Sequence, residues 1–236
     1  MSMPIRPRRG VDRPLYRWAP LGAAVIVFAG FARTFYLNQV FGTPPPSALL
    51  ILHGMLMTAW FVMFIVQTRL VAAGRIDLHR RLGVAGALLA LAVLIVGPVV
   101  AITAAKLGHS PGPPPLVFLV VPLGDMLVFA LLVGFALLFR RRSDVHKRLM
   151  LLSFVGLLTA AIARLPVEAW RQAGIVAYFS TTILLVLACV AYDTVKHRKL
   201  HPAFAWGAGL IIVSWPLRLA LTTTATWMAF ATWLTG

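Results

Sequence analysis

Seven runs of apolar residues, each close to the roughly 20 residues an α-helix needs to cross the hydrocarbon core of a bilayer, divide this chain and leave little else to fold. They lie near residues 20–38, 47–69, 82–105, 116–139, 148–167, 174–195 and 203–220. Inside lipid every backbone N–H and C=O must find its partner within protein, which restricts spanning segments to helices or closed barrels, and runs of this length select helices. The expected fold class is therefore all-α, an integral membrane bundle of about seven transmembrane helices. A hydrophobic content of 60% over 236 residues also lies outside the range of soluble domains.

The charge is distributed in a way that orients such a bundle. There are 22 Lys+Arg against 6 Asp+Glu, a net charge of +16. The basic residues fall in four blocks: Arg6, Arg8, Arg9, Arg13 and Arg17; Arg69, Arg75, Arg80 and Arg81; Arg140 to Arg142 with Lys147 and Arg148; and Lys196, Arg198 and Lys199. All four can share one side, leaving only Arg33, Lys106, Arg164, Arg171 and Arg218 for the other side or the membrane. This asymmetry places the blocks and the amino terminus in the cytoplasm, as in a bacterial inner membrane. Contacts with anionic lipid account for the charge, and no nucleic-acid partner is needed.

One domain, 1–236, is expected: a basic cytoplasmic segment over 1–19, the bundle over 20–220, and an outer interfacial segment over 221–236 carrying Trp227 and Trp233. Thr222 to Thr224 are placed to cap that last segment. The first apolar run, Leu21 to Leu37, reads as a retained helix because no small-residue cleavage site follows it. Arg8 and Arg9 lack the hydrophobic pair of a twin-arginine signal. The single cysteine, Cys189, sits among apolar residues and excludes a disulfide framework within one chain.

The cytoplasmic turns echo one another. Asp77-Leu78-His79-Arg80-Arg81-Leu82 returns as Asp144-Val145-His146-Lys147-Arg148-Leu149, with a looser third version in Lys196-His197-Arg198-Lys199-Leu200-His201-Pro202. Each precedes an outward-running helix, so the bundle reads as three hairpins after a first helix. Asp77 and Asp144 are expected as helix N-caps, with their basic neighbours reaching for headgroups. Gly83, Gly86 and Ala87, Gly156 and Ala160, and Gly207 with Gly209 are expected to let helices approach closely.

Ionisable groups inside a membrane are costly and point to function or to pairing. His53, Asp125, Arg164, Glu168 and Arg218 fall in the outer half of their spans, where Pro98, Pro122, Pro166 and Pro216 also interrupt helices. Asp125, Arg164, Glu168 and Arg218 are thus expected either to line an outward-facing polar chamber for a small ligand or to pair Asp125 with Arg164 or Arg218 and hold helices together. The histidines give a second lead. A b-type haem needs two imidazoles at one depth on facing helices, and His79, His146 and His201 share a depth while His53 lacks an outer partner except His109 in a loop. Three inner imidazoles are also a metal-ligand type, but tight ligand spacing is missing and no metal is expected.

The run His53-Gly54-x-Leu56-x-x-x-Trp60 with Gln67, then Leu78-His79-Arg80-Arg81-Leu82-Gly83, His146-Lys147-Arg148-Leu149-Met150 and Ala163-Arg164-Leu165-Pro166, resembles a large family of bacterial multi-pass membrane proteins defined by a domain of unknown function. Tyr192-Asp193, Leu200-His201-Pro202 and Pro216-Leu217-Arg218 are similar to that family too. The resemblance implies the bundle and the inner-membrane location and carries no reaction. More distantly, His53-Gly-x-Leu-Met and Leu-His79-x-x-Leu-Gly83 are similar to cytochrome b561-type bundles, which implies haem ligation by paired histidines, here drawn from His53, His79, His146 and His201. The expectation with which the structure is met is a membrane redox component, binding b-type haem and linked to quinone. Its alternatives are a small-ligand binding or transport protein, and an accessory subunit of another membrane protein.

Overall fold

The computed structural model describes residues 13–236, and Arg6, Arg8 and Arg9 lie outside the described residues. Ten α-helices follow one another with no strand among the described residues: α1 (Arg13–Phe31), continued by a π-helical turn (Ala32–Tyr36), α2 (Ala48–Ala72), α3 (Ile76–Lys106), α4 (Pro115–Phe118), α5 (Val120–Leu138), α6 (Ser143–Gly156), α7 (Thr159–Ile162), α8 (Glu168–His197), α9 (Pro202–Thr222) and α10 (Ala225–Thr235). The chain is an all-α, multi-pass membrane protein: seven stretches, Pro14–Tyr36, Ala48–Ala72, Ile76–Lys106, Pro115–Leu138, Ser143–Ile162, Glu168–His197 and Pro202–Thr222, are long and apolar enough to span.

Several boundaries depart from the sequence reading, each for a local reason. The third span begins at Ile76, so the echoed Asp-x-His segment is the first turn of α3 and not a loop before it, and the same holds for α6. Consequently Asp77 and Asp144 do not act as N-caps. Arg75 and Arg142 occupy the cap positions, and the two carboxylates sit in the first turn, where the helix dipole still favours negative charge. The sixth span begins at Glu168, six residues before the expected start, and bends at Gly174, whose φ of 63° only glycine adopts freely. The Thr222 to Thr224 expectation holds, for Thr224 Oγ1 accepts from the Trp227 N–H at 3.2 Å and starts α10. The Trp227 indole in turn donates to the Leu116 carbonyl at 2.9 Å, laying α10 across the proline-rich end of the bundle.

The continuous span α6–α7 is the centre. Some 67% of its most apolar window is buried, against no more than 39% in any other span. It packs among α1, α5, α8 and α9. A central helix does not face lipid and can carry polar residues, and Arg148, Ser153 and Thr159 are all buried on it. Thr159 shares a 2.8 Å hydroxyl bond with Thr182 of α8. The core beside it is aromatic: Phe64 stacks on Phe154 at 4.2 Å between centroids, and Trp60 meets Phe129 edge-on at 5.0 Å. Large apolar side chains such as Val62, Leu88, Leu184 and Val213 remain exposed on the outer faces, as lipid contact requires.

Because lipid tails are as apolar as leucine, association rests on close packing, which small residues permit. Gly83 faces Gln67, Gly86 faces Met63, Gly156 faces Ile211, and Gly207 faces Leu132, Leu149 and Leu152, whereas Gly209 meets nothing. The closest approach involves a glycine outside the expected set: a Cβ on Gly30 of α1 would run into the backbone carbonyl of Ala161 in α7. Backbone cannot yield as a side chain does. Gly30→Ala is expected to destabilise the detergent-solubilised bundle by about 1–3 kcal/mol, the usual cost of overpacking. Gly134→Ala, whose new methyl meets nothing, should be neutral or slightly stabilising. Parallel thermal melts of the two variants check this.

Candidate functional site at the basic end

The sites proposed from sequence resolve into three places. At the proline-rich half, Arg218 of α9 is buried and donates to Asp125 of α5 at 2.6 Å, to the Val121 carbonyl at 3.2 Å and to Ser214 Oγ at 3.2 Å, with its guanidinium 4.5 Å from the Trp215 ring. Gly124 makes room for it, since a Cβ there would collide with the guanidinium. Arg164 and Glu168 do not join them. Arg164 is exposed, donates to Ala160 and lies over Phe31 at 4.8 Å, while Glu168 pairs on the surface with Arg171 at 3.2 Å. The four residues therefore do not line one chamber. The space beside the pair, bordered by Ser153 and Ser214, amounts to about 10 Å³, room for roughly one water. Asp125 and Arg218 join α5 to α9, the second of the two roles open to them.

At the basic end, Arg148 of α6 forms a forked pair with Asp193 of α8, Nε to Oδ2 at 2.9 Å and Nη2 to Oδ1 at 2.8 Å, with both side chains almost wholly buried. Its remaining nitrogen donates to the Asp144 carbonyl at 2.8 Å, and the guanidinium lies 5.7 Å from the Phe204 ring. His197 Nδ1 reaches the Asp193 carbonyl at 2.8 Å. The Asp144 carboxylate accepts from His201 Nε2 at 3.1 Å, and His201 Nδ1 accepts from the Ala203 N–H at 3.1 Å, so both ring nitrogens of His201 are committed to starting α9. The sequence reading named Asp193 only within the family resemblance and gave it no part in an ion pair. Its signal was there, as the only carboxylate near the basic end of the sixth apolar run.

On the opposite face of α6 the two echoed histidines meet. The ring centroids of His79 and His146 are 6.4 Å apart and their planes nearly perpendicular, at 79°. Each Nδ1 is anchored by the preceding helix of its own hairpin. His146 Nδ1 lies 2.8 Å from the Ala136 carbonyl in the last turn of α5, an oxygen that can only accept, so in the neutral ring Nδ1 carries the proton and Nε2 the lone pair. His79 Nδ1 faces the side-chain amide of Gln67 on α2. The orientation of that amide follows from its other neighbours: the His79 carbonyl, 3.2 Å away, can only accept, and the Gly83 N–H, 3.0 Å away, can only donate. The amide nitrogen therefore turns to His79, Nδ1 accepts, and the proton is on Nε2. Two imidazoles related by the sequence echo are held in opposite tautomers.

This decides how the residues suit a haem. Two axial imidazoles must each offer an unprotonated nitrogen, usually with the other N–H donating to a carbonyl. His146 meets that requirement, and the spacing of the two rings suits a metal between them. His79 does not, because Gln67 holds its proton on Nε2. His201 has no nitrogen to give, and His53 stands near the far end of α2, about 20 Å from the level of Gln67 by helical rise. The four histidines do not fit a bis-imidazole haem. Comparison with protein-family models, with curated proteins and with solved structures finds no match.

The Arg148–Asp193 pair yields a clear expectation. Removing one partner, as in Asp193→Ala, leaves a buried guanidinium uncompensated and should cost about 3–5 kcal/mol. Replacing both with apolar residues of similar volume, Arg148→Met with Asp193→Leu, should recover most of the loss. Chemical denaturation in detergent micelles measures both, and equal losses in the single and double variants would remove the pair from its structural role.

Proposed function

We propose that this chain is a bacterial inner-membrane protein that binds a lipid-soluble quinone or its quinol at the His79–His146 pair. The observation that carries the reading is the opposite tautomers: one ring presents an N–H and the other a lone pair. A quinone oxygen can only accept, so it suits His79 Nε2–H. A quinol hydroxyl also donates, and His146 Nε2 is the matching acceptor. A fixed donor beside a fixed acceptor thus suits both redox forms of the same headgroup.

The position of the pair supports the same chemistry. Both rings are half-buried in the first turn of a spanning helix, close to the boundary where the headgroup of a lipid-soluble molecule with an apolar tail would rest. The surrounding arginines, Arg80 and Arg81 on α3 and Arg140 to Arg142 before α6, keep that boundary at the membrane surface. Binding and orienting the headgroup is the part these residues can play. Electron transfer would belong to a partner in the membrane, in keeping with the redox-component reading of the sequence.

Titration of the purified protein with a short-tailed benzoquinone, followed by calorimetry, tests the reading. His79→Ala and His146→Ala should each weaken binding by roughly tenfold, the equivalent of one good hydrogen bond, while His53→Ala leaves it unchanged. A reduced-minus-oxidised absorbance spectrum of protein from haem-supplied cells should be featureless. A sharp α-band lost in His146→Ala would overturn the quinone reading in favour of haem.

A further inference from the structure

The two hairpins that carry the histidines are built alike, yet they end with opposite hydrogen-bond polarity at Nδ1. In one, the anchoring group is a main-chain carbonyl. In the other it is a side-chain amide, and a side chain can be replaced. Gln67 touches the His79 carbonyl, the His79 ring and the Gly83 N–H together, so it bridges α2 to the first turn of α3 while presenting its nitrogen to Nδ1. A Cβ on Gly83 would stand 3.9 Å from the Gln67 amide, an ordinary contact, so the approach of the amide does not depend on the glycine.

We infer that Gln67 is the positioning residue that sets the tautomer of His79, and that it thereby makes the histidine pair a donor–acceptor site selective for an oxygen headgroup over a metal ion. With an acceptor in place of the amide nitrogen, His79 would carry its proton on Nδ1 and bare its Nε2. Two bare lone pairs facing one site form a metal-type pair, and they offer a quinone oxygen no donor. One side-chain amide therefore separates two ligand chemistries on the same backbone. The functional meaning of this inference rests on the quinone reading above, whereas the tautomer is a property of the ligand-free protein and is measured without any ligand.

The experiment is a long-range ¹H–¹⁵N correlation spectrum of histidine-labelled protein in micelles, at a pH well above the ordinary imidazole pKa of about 6.5 so that the rings are neutral. The resonances of His79 are identified by their loss in His79→Ala. In the wild type His79 should show a protonated Nε2 and a bare Nδ1. Gln67→Glu, which keeps an acceptor for the Gly83 N–H and puts a second acceptor against the ring, should move the proton to Nδ1. Gln67→Met, close in length and without polar hydrogens, should leave a mixture of both tautomers and guards against a charge-induced change in folding.

A wild-type His79 protonated on Nδ1, or a His79 pattern unchanged in both variants, would overturn the inference. The benzoquinone titration separates this from the reading it rests on. A tautomer that switches in Gln67→Glu together with a roughly tenfold loss of quinone affinity supports both. A tautomer that switches while quinone binding is unaltered upholds the role of Gln67 and overturns the quinone reading.

Discussion

The buried fork between Arg148 and Asp193 is the contact on which the basic end of this bundle depends. A charge taken out of water is tolerable only when its partner and its remaining hydrogen-bonding positions are satisfied. Here the guanidinium spends its nitrogens on both oxygens of Asp193 and on the Asp144 carbonyl. That arrangement ties the central helix to α8, and through the Asp144 carboxylate and His201 it ties α9 as well. His146 is two residues from Arg148, a rotation of about 200° around the helix, so a pair that holds one face of α6 also aims the imidazole on the other. The histidine site is in this sense a consequence of a structural ion pair that does not touch it.

Polarity inside this protein follows exposure to lipid more closely than depth. The central span α6–α7 carries Arg148, Ser153 and Thr159, and α8 and α9 present Asp193, Thr182 and Arg218 inward, while the outer faces of α2 and α3 are apolar between their terminal turns. The same rule explains the fate of the charges at the other end. Arg218 shares its helix face with Trp215, Ser214 and Ile211, three, four and seven residues away, and is drawn into the core. Arg164 stands past the end of α7, where the chain has left its helix, and its side chain lies back along Phe31 at the surface.

Much of this could be read from the sequence, and the parts that could not share a cause. The seven spans, the α10 cap and the close approach at Gly207 follow from run length and small residues, which are local properties, whereas Gly83, Gly86 and Gly156 stand at ordinary contact distance from their neighbours. The repeated Asp-x-His segment puts His79 and His146 at the same end of the bundle, where their ring centroids stand 6.4 Å apart. What the sequence did not disclose is which atom of a neighbouring helix lies against each side chain. Asp125 had two candidate partners on equal terms, and only the rotation of α9 selects Arg218. Glu168 was grouped with Asp125 on depth alone, although it starts a helix at the surface. His201 matched the other two histidines in position, but its nitrogens belong to the start of its own helix.

The opposite tautomers of His79 and His146 have an explanation in where two helices stop. The last carbonyls of any helix lack intrahelical partners and attract donors. Helix α5 ends at Leu138, so the Ala136 oxygen is one of these, and His146 Nδ1–H satisfies it. Helix α2 instead continues to Ala72, five residues beyond Gln67, so its carbonyls at the level of His79 are taken up by its own hydrogen bonds. At this level the Gln67 side chain lies against the His79 ring. That side chain is an amide with its nitrogen toward the ring, and the imidazole receives a donor where its counterpart received an acceptor. A repeat that began with two equivalent histidines thus becomes directional through a difference of about one helical turn in the length of the helix that precedes each of them.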